Sequence, residues 1–298
     1  MKKLNYLFIF MALALLPACK NRQTSKEGVD SVSESVNFDD LKQEYKEVYY
    51  RFPSPDEMFK YLDSTGLQYD RTLLSSCKNS DNYLATRDQA LNLGVYIADL
   101  AYISLFQRYK ESDSYLQTIY KISDKLRISS AFDKNMISRI EKNIKNNDSL
   151  EVISDDALNS ITNYLSGNDQ EDIYALISFG GFVEFMNIAL HLSGEYTSDN
   201  IVVSRIADQK LVYENILKFT RQYAEDNKKV NDVLELNRPL TSFYDNIKTV
   251  SQKTTVSKSG DGKFVFNGGS KILILKNEFE QLKEIIFHIR SRMVSADF

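Results

Sequence analysis

Glu184, Asn187 and His191 stand at i, i+3 and i+7 within Ile173 to Leu192, a strongly apolar run. Helical spacing places this acid, amide and imidazole on one face. Asp99 sits alone among apolar neighbours in a second such run, Leu91 to Phe106. If both runs are helices packed on each other, two carboxyls, an amide and an imidazole converge. Such a cluster is either a buried hydrogen-bond network, with Asp99 satisfied by a tyrosine hydroxyl or a backbone amide, or a small polar pocket with a shifted carboxyl pKa. The pocket would bind a ligand; neither alternative names a reaction.

Other reactive residues stand apart. Glu284 and His288 are spaced i, i+4 but flanked by Lys283 and Arg290, which reads as an exposed, weakly interacting helix pair. Two histidines in all cannot supply a His-rich metal site. Gly260-Asp261-Gly262-Lys263 lacks the spacing and the following Ser or Thr of a phosphate loop. No Gly-x-Ser-x-Gly, His-Glu-x-x-His or CxxC pattern occurs. The residues imply no catalytic set, metal or cofactor, and whether the chain is an enzyme stays open, with a non-catalytic role favoured.

Chemistry is expected at Cys19. Lys2 and Lys3 precede an apolar run from Leu4 to Leu16, and Leu16-Pro17-Ala18-Cys19 closes it. These are the charged, apolar and small-residue parts of a secretory signal peptide. The run is too short for a bilayer-spanning helix, which takes about 20 residues. The tetrapeptide resembles the lipobox of bacterial lipoproteins, with Pro17 a slight departure. The resemblance implies cleavage before Cys19, a thioether-linked diacylglycerol on its sulfur and an N-acyl chain. Each buried methylene adds about 0.8 kcal/mol, so two or three chains hold almost permanently.

Residues 20–36 are rich in Ser, Lys, Glu, Gln and Asn. Such a stretch cannot bury enough apolar surface to offset its ordering and reads as a flexible tether. Its first seven residues, Lys-Asn-Arg-Gln-Thr-Ser-Lys, are net basic. By resemblance to lipoproteins of the Bacteroidota, the missing acidic run implies the periplasmic side. By resemblance to enterobacterial sorting, the absence of Asp after Cys19 implies the outer membrane.

Of 37 basic and 41 acidic residues, cleavage removes only Lys2 and Lys3, taking the formal charge from −4 to −6. No segment gathers Lys and Arg into a stripe, which argues against a nucleic-acid partner. With Cys19 lipidated, Cys77 is the one remaining cysteine and no intramolecular disulfide can form. A buried small residue is the simpler reading of Cys77 than a reactive thiol.

Residues 37–298 read as one helical domain. Asn37 caps a first expected helix, and Ser54-Pro55-Asp56-Glu57 opens a second with a capping box, closed by Gly66. A central helix is expected over 82–110, apolar on nearly every face and therefore buried. Further helices are expected near 114–128, 134–146, 150–166, 200–225 and 228–251, the last kinked or split at Pro239. Ile173 to Leu192 approaches the length of a membrane span but carries Glu184, Asn187 and His191, and reads as a second core helix. Leu93-Gly94-Val95-Tyr96 faintly echoes Gly180-Gly181-Phe182-Val183, too briefly to establish a repeat.

Near the C-terminus, Phe264-Val265-Phe266 and Ile272-Leu273-Ile274 flank Asn267-Gly268-Gly269-Ser270, a candidate β-hairpin. Asn277 with Glu280 is expected to cap a last helix bearing Phe279, Leu282, Ile286, Ile289 and Met293 as its apolar stripe.

The segment from Ala90 to Tyr102, ALNLGVYIADLAY, resembles one in uncharacterised Bacteroidota lipoproteins, as does the Lys-, Asn-, Ile- and Tyr-rich composition. That resemblance brings no activity. The expected architecture is all-α, a bundle or array around two buried central helices, with the candidate C-terminal hairpin. The expected organisation is a signal peptide at 1–18, the lipidated cysteine and tether at 19–36, and the helical domain at 37–298. The expected role is protein binding or structure at the envelope membrane, with an envelope protein as partner. The alternative is small-ligand binding at a polar pocket formed by Asp99, Glu184, Asn187 and His191.

Overall fold

Two helices that lack a polar face form the centre of the molecule. Helix α1 (Thr86–Leu105) buries residues all round its axis, from Asp88 to Ile103. In the computed structural model, the described residues are 67–131, 138–139, 142, 156, 159–258 and 264–297. The expected signal peptide, the tether, the helices opened by Asn37 and Ser54 and most of the helix near 134–146 lie outside them. All described residues fall in one compact unit, Glu44–Phe298.

After α1 come α2 (Tyr109–Lys125), helical residues 159–166, and α3 (Glu171–Leu192). The chain continues through α4 (Ile201–Arg221), α5 (Lys228–Leu236) and α6 (Arg238–Asn246). Strands β1 (Thr249–Lys258) and β2 (Phe264–Ile272) precede the last helix, α7 (Lys276–Ser295). Among the described residues the architecture is an all-α array around the buried pair α1 and α3, with one β-hairpin.

Helices α1 and α3 cross backbone to backbone. A methyl group on Gly94 would stand 2.0 Å from the Ile177 carbonyl oxygen, and one on Gly180 would stand 1.8 Å from the Leu91 carbonyl oxygen. Any side chain at either position would force the helices apart. The two segments that echo each other in sequence therefore meet at this crossing.

Among the described residues, α3 alone is long and apolar enough to cross a membrane, but 83% of its most apolar window is buried inside the protein. Helix α7 lays its expected stripe on this core: Phe279, Leu282, Ile286, Ile289 and Met293 are all fully buried. Each such side chain contributes about 1.5–3 kcal/mol relative to exposure.

Several boundaries differ from the sequence expectation. The central helix starts at Thr86, not Asn82, and stops at Leu105 instead of running to Lys110. Gln107 takes φ 54°, and the Arg108 N–H donates to the Ile103 carbonyl at 2.9 Å. This is a Schellman closure without its usual glycine. Helix α2 ends the same way: Arg127 has φ 61°, and the Ile128 N–H reaches the Ser123 carbonyl at 2.9 Å. The region expected over 228–251 does split, at Asn237 with Pro239 in the first turn of the second helix, but it ends at Asn246 and gives way to β1.

The hairpin is present, but its turn does not lie where expected. Asn267-Gly268-Gly269-Ser270 lies inside β2, antiparallel to β1, with a register slip between Gln252 and Thr255. The flexible glycines accommodate that irregularity instead of reversing the chain. The last helix begins two residues earlier than expected: Leu275 is its N-cap residue, and Glu278, not Glu280, accepts the Leu275 N–H at 2.7 Å.

Candidate functional site

Beyond the glycine crossing, α1 carries Asp99 and α3 carries Glu184, both with no exposed surface. Arg290 reaches them from α7. Its Nε donates to Glu184 Oε2 at 2.8 Å and its Nη2 to Oε1 at 3.0 Å. This bidentate pairing fixes the carboxylate plane as well as compensating its charge. Two central helices and a third at the C-terminus, far apart in sequence, thus close one polar cluster inside an apolar core.

The cluster holds a stretch of backbone. Residues 70–77 run across the helices, with 74–76 joining two 3-10 turns, Arg71–Leu73 and Cys77–Asp81. The Ser75 N–H donates to Asp99 Oδ2 at 3.0 Å. Arg290 Nη2 donates to the Leu73 carbonyl and to Ser75 Oγ, each at 3.1 Å. Tyr115 donates its hydroxyl to the Ser75 carbonyl and Tyr96 to the Ser76 carbonyl, both at 2.8 Å. Backbone that would otherwise be buried without partners is bonded at each of these positions.

Burial raises the Asp99 carboxyl well above its usual range, and the Glu184 charge raises it further, against a smaller opposing effect of Arg290. With both acids ionised, Asp99 Oδ1 would have no partner. A proton on Asp99 resolves this, because its carboxyl lies in hydrogen-bond reach of Glu184. The cluster is then a neutral acid, a carboxylate and a guanidinium, with no net charge. For Arg290, burial lowers the pKa but the Glu184 charge outweighs it, so the group stays protonated. Burial likewise pushes the Tyr83 hydroxyl, which donates to the Val294 carbonyl, up to about 12.

The four residues singled out in the sequence divide between this cluster and a groove. Asp99 and Glu184 meet in the interior. Asn187, 4% exposed, stands between them and the surface, with Nδ2 3.5 Å from Glu184 Oε1. His191 lies on the outside: its ring stacks on Phe287 with centroids 4.1 Å apart, and its Nδ1 is 2.8 Å from the Asn187 carbonyl oxygen. A carbonyl can only accept, so Nδ1 carries the proton, and in the neutral ring Nε2 is left as an acceptor.

Asn187, His191, Phe287 and the outer edge of Arg290 line an open groove of about 590 Å³, completed by Asn82 and Ser291 among others. Its size suits a small molecule or a short peptide.

Compared with protein-family models, curated proteins and solved structures, the chain matches none.

Sequence spacing did not single out Arg290, Ser75, Tyr96 or Tyr115. A signal for Arg290 existed: it falls four residues after Ile286 and three before Met293, at the edge of the buried stripe of α7. Nothing local marked Ser75. Glu284 and His288 are both exposed, and among the described residues no three His, Cys, Asp or Glu side chains gather as a metal site would need. Cys77 is a half-buried free thiol, its Sγ 3.6 Å from the Ser114 carbonyl oxygen. Cys19, the expected lipidation site, lies outside the described residues.

Proposed function

We propose that this chain is a lipid-anchored protein of the bacterial cell envelope, facing the periplasm from the outer membrane, whose helical body binds an envelope partner without transforming it. The lipobox-like Leu16-Pro17-Ala18-Cys19 supports the anchor. For the body, one observation carries the reading. The chemically strongest cluster, Asp99 with Glu184 and Arg290, is closed on itself and on the 70–77 backbone, and neither acid reaches solvent. A general acid or base needs contact with substrate. What faces outward is the groove beside the cluster, which offers hydrogen-bonding groups and no exposed carboxylate among the residues that line it. Such a surface suits recognition.

Two measurements test this. Cys19→Ala should abolish acyl labelling and release the protein from the membrane fraction; retention there as lipid-free material would remove the anchor. A photoreactive amino acid at Asn82, on the groove rim, should yield a discrete crosslinked species in cells that His191→Ala weakens. Absence of any such species would remove binding at this groove. The alternative reading, a small-ligand binder, rests on the groove's volume of about 590 Å³.

A further inference from the structure

The groove floor carries an unused set of hydrogen-bonding atoms. Arg290 spends Nε and Nη2 on Glu184, Leu73 and Ser75. Its Nη1 makes no hydrogen bond with any described residue, although the side chain is 21% exposed and lines the groove. Asn187 uses Nδ2 towards Glu184, which leaves its Oδ1 as an acceptor. His191 offers Nε2 as a second acceptor once Nδ1 is committed to the Asn187 carbonyl. Two N–H groups of Arg290 and two acceptors of α3 thus belong to residues that line the same groove.

This set is not specific for a charged ligand. The guanidinium is matched by Glu184 inside the protein, so a carboxylate or phosphate entering the groove would meet a compensated pair, not a free positive charge. It also disfavours a sugar stacked on an aromatic face. One face of Phe287 is covered by His191 at 4.1 Å, and the Lys283 ammonium lies 5.9 Å from the same ring's centroid. A secondary amide, the repeating unit of a peptide backbone, accepts from Arg290 through its carbonyl and donates to Asn187 or His191 through its N–H.

We propose that the groove between α3, α7 and the Cys77–Asp81 turn binds an extended, uncharged peptide segment of an envelope protein through its backbone amides. One carbonyl accepts from Arg290 Nη1 and one N–H donates to Asn187 Oδ1 or His191 Nε2. This deepens the binding role proposed above and rests on it. The recognition is of backbone, so it tolerates varied small side chains.

The test uses the full chain in detergent micelles and three probes: the blocked tetrapeptide acetyl-Ser-Ala-Ser-Ala-amide, its ester-backbone analogue, and tri-N-acetylchitotriose. Side-chain NMR signals of Arg290 Nε–H and the His191 ring report on groove occupancy. The tetrapeptide is expected to shift both signals. His191→Ala, at an exposed position, and Asn187→Ala are each expected to weaken binding about fivefold, the loss of one neutral hydrogen bond. The ester analogue, lacking the N–H donors, should weaken it at least as much. Equal binding of peptide and ester, or occupancy of the groove by the sugar alone, overturns the amide assignment while leaving a binding groove. If no probe binds but the Asn82 crosslink forms, the peptide chemistry is wrong and the groove still binds. If no probe binds and no crosslink forms, both the inference and the binding role fall.

Discussion

Gly94 and Gly180 occupy each other's closest approach in a reciprocal way. The position of a Gly94 side chain is filled by the carbonyl of Ile177, three residues before Gly180, and the position of a Gly180 side chain by the carbonyl of Leu91, three residues before Gly94. The crossing is locally symmetric. It sets α1 and α3 close enough for Asp99 and Glu184 to meet beyond it. Gly181 differs: a methyl group there would come no closer than 3.5 Å to the Gly94 carbonyl oxygen.

Replacing these glycines should therefore split their effects. Gly94→Ala and Gly180→Ala are expected to destabilise the fold by about 3 kcal/mol or more, because backbone cannot yield as a side-chain tip can. Gly181→Ala should be neutral or stabilise by about 0.5–1 kcal/mol, since alanine restricts the unfolded chain and favours helix. Urea unfolding of the three variants checks this. Equal losses at all three positions would contradict the packing described.

Glu184→Gln should cost about 3–5 kcal/mol, because it leaves the Arg290 guanidinium largely buried without its counter-charge. Joint replacement of Glu184 and Arg290 by leucine should cost less than the sum of the single changes, as expected for directly coupled residues. The double variant still loses the Arg290 bonds to Leu73 and Ser75. Denaturant midpoints in a double-mutant cycle measure the coupling.

Asp99 makes stability depend on pH. Its pKa is raised in the folded protein, so between the ordinary aspartate value and the raised one the folded state holds more protons than the unfolded chain. The contribution of Asp99 is then full below the unfolded pKa and declines as pH rises through that window. The substitution Asp99→Asn mimics the neutral acid, with the new amide donating towards Glu184 and its carbonyl accepting from the Ser75 N–H. The melting temperature of Asp99→Asn relative to the parent should therefore increase from about pH 5 to about pH 8. A constant difference across that range would show that Asp99 is not the proton holder.

Tyr115→Phe removes the hydroxyl that donates to the Ser75 carbonyl. The loss should be about 1–2 kcal/mol, the cost of a buried carbonyl left without that bond. Local release of the 70–77 segment should appear as faster hydrogen exchange of the Ser75 amide, while amides at the α1–α3 crossing keep their protection. Uniform acceleration everywhere would mean that Tyr115 supports the whole fold and not this segment.

Periodicity alone determined the all-α class, the two apolar central helices and the five-residue stripe of α7, because burial on a helix face leaves a local repeat of 3.6 residues. It also placed Asp99 and Glu184 on those two helices as chemically conspicuous residues. Other features left no local mark. Gln107, Arg127 and Ala296 end helices with positive φ where no glycine announces a stop, since tertiary packing offsets the backbone cost there. The strand partner of Asn267–Ser270 was hidden because glycines suit both a turn and an irregular strand. The pairing of Glu184 with Arg290, 106 residues apart, and the use of Ser75 by the cluster, its N–H donating to Asp99 and its hydroxyl oxygen accepting from Arg290, belong to the tertiary structure alone. Only there does burial in a low-dielectric interior raise the Asp99 pKa, and only there do α3, α7 and the Cys77–Asp81 turn leave an open groove beside the ionic cluster.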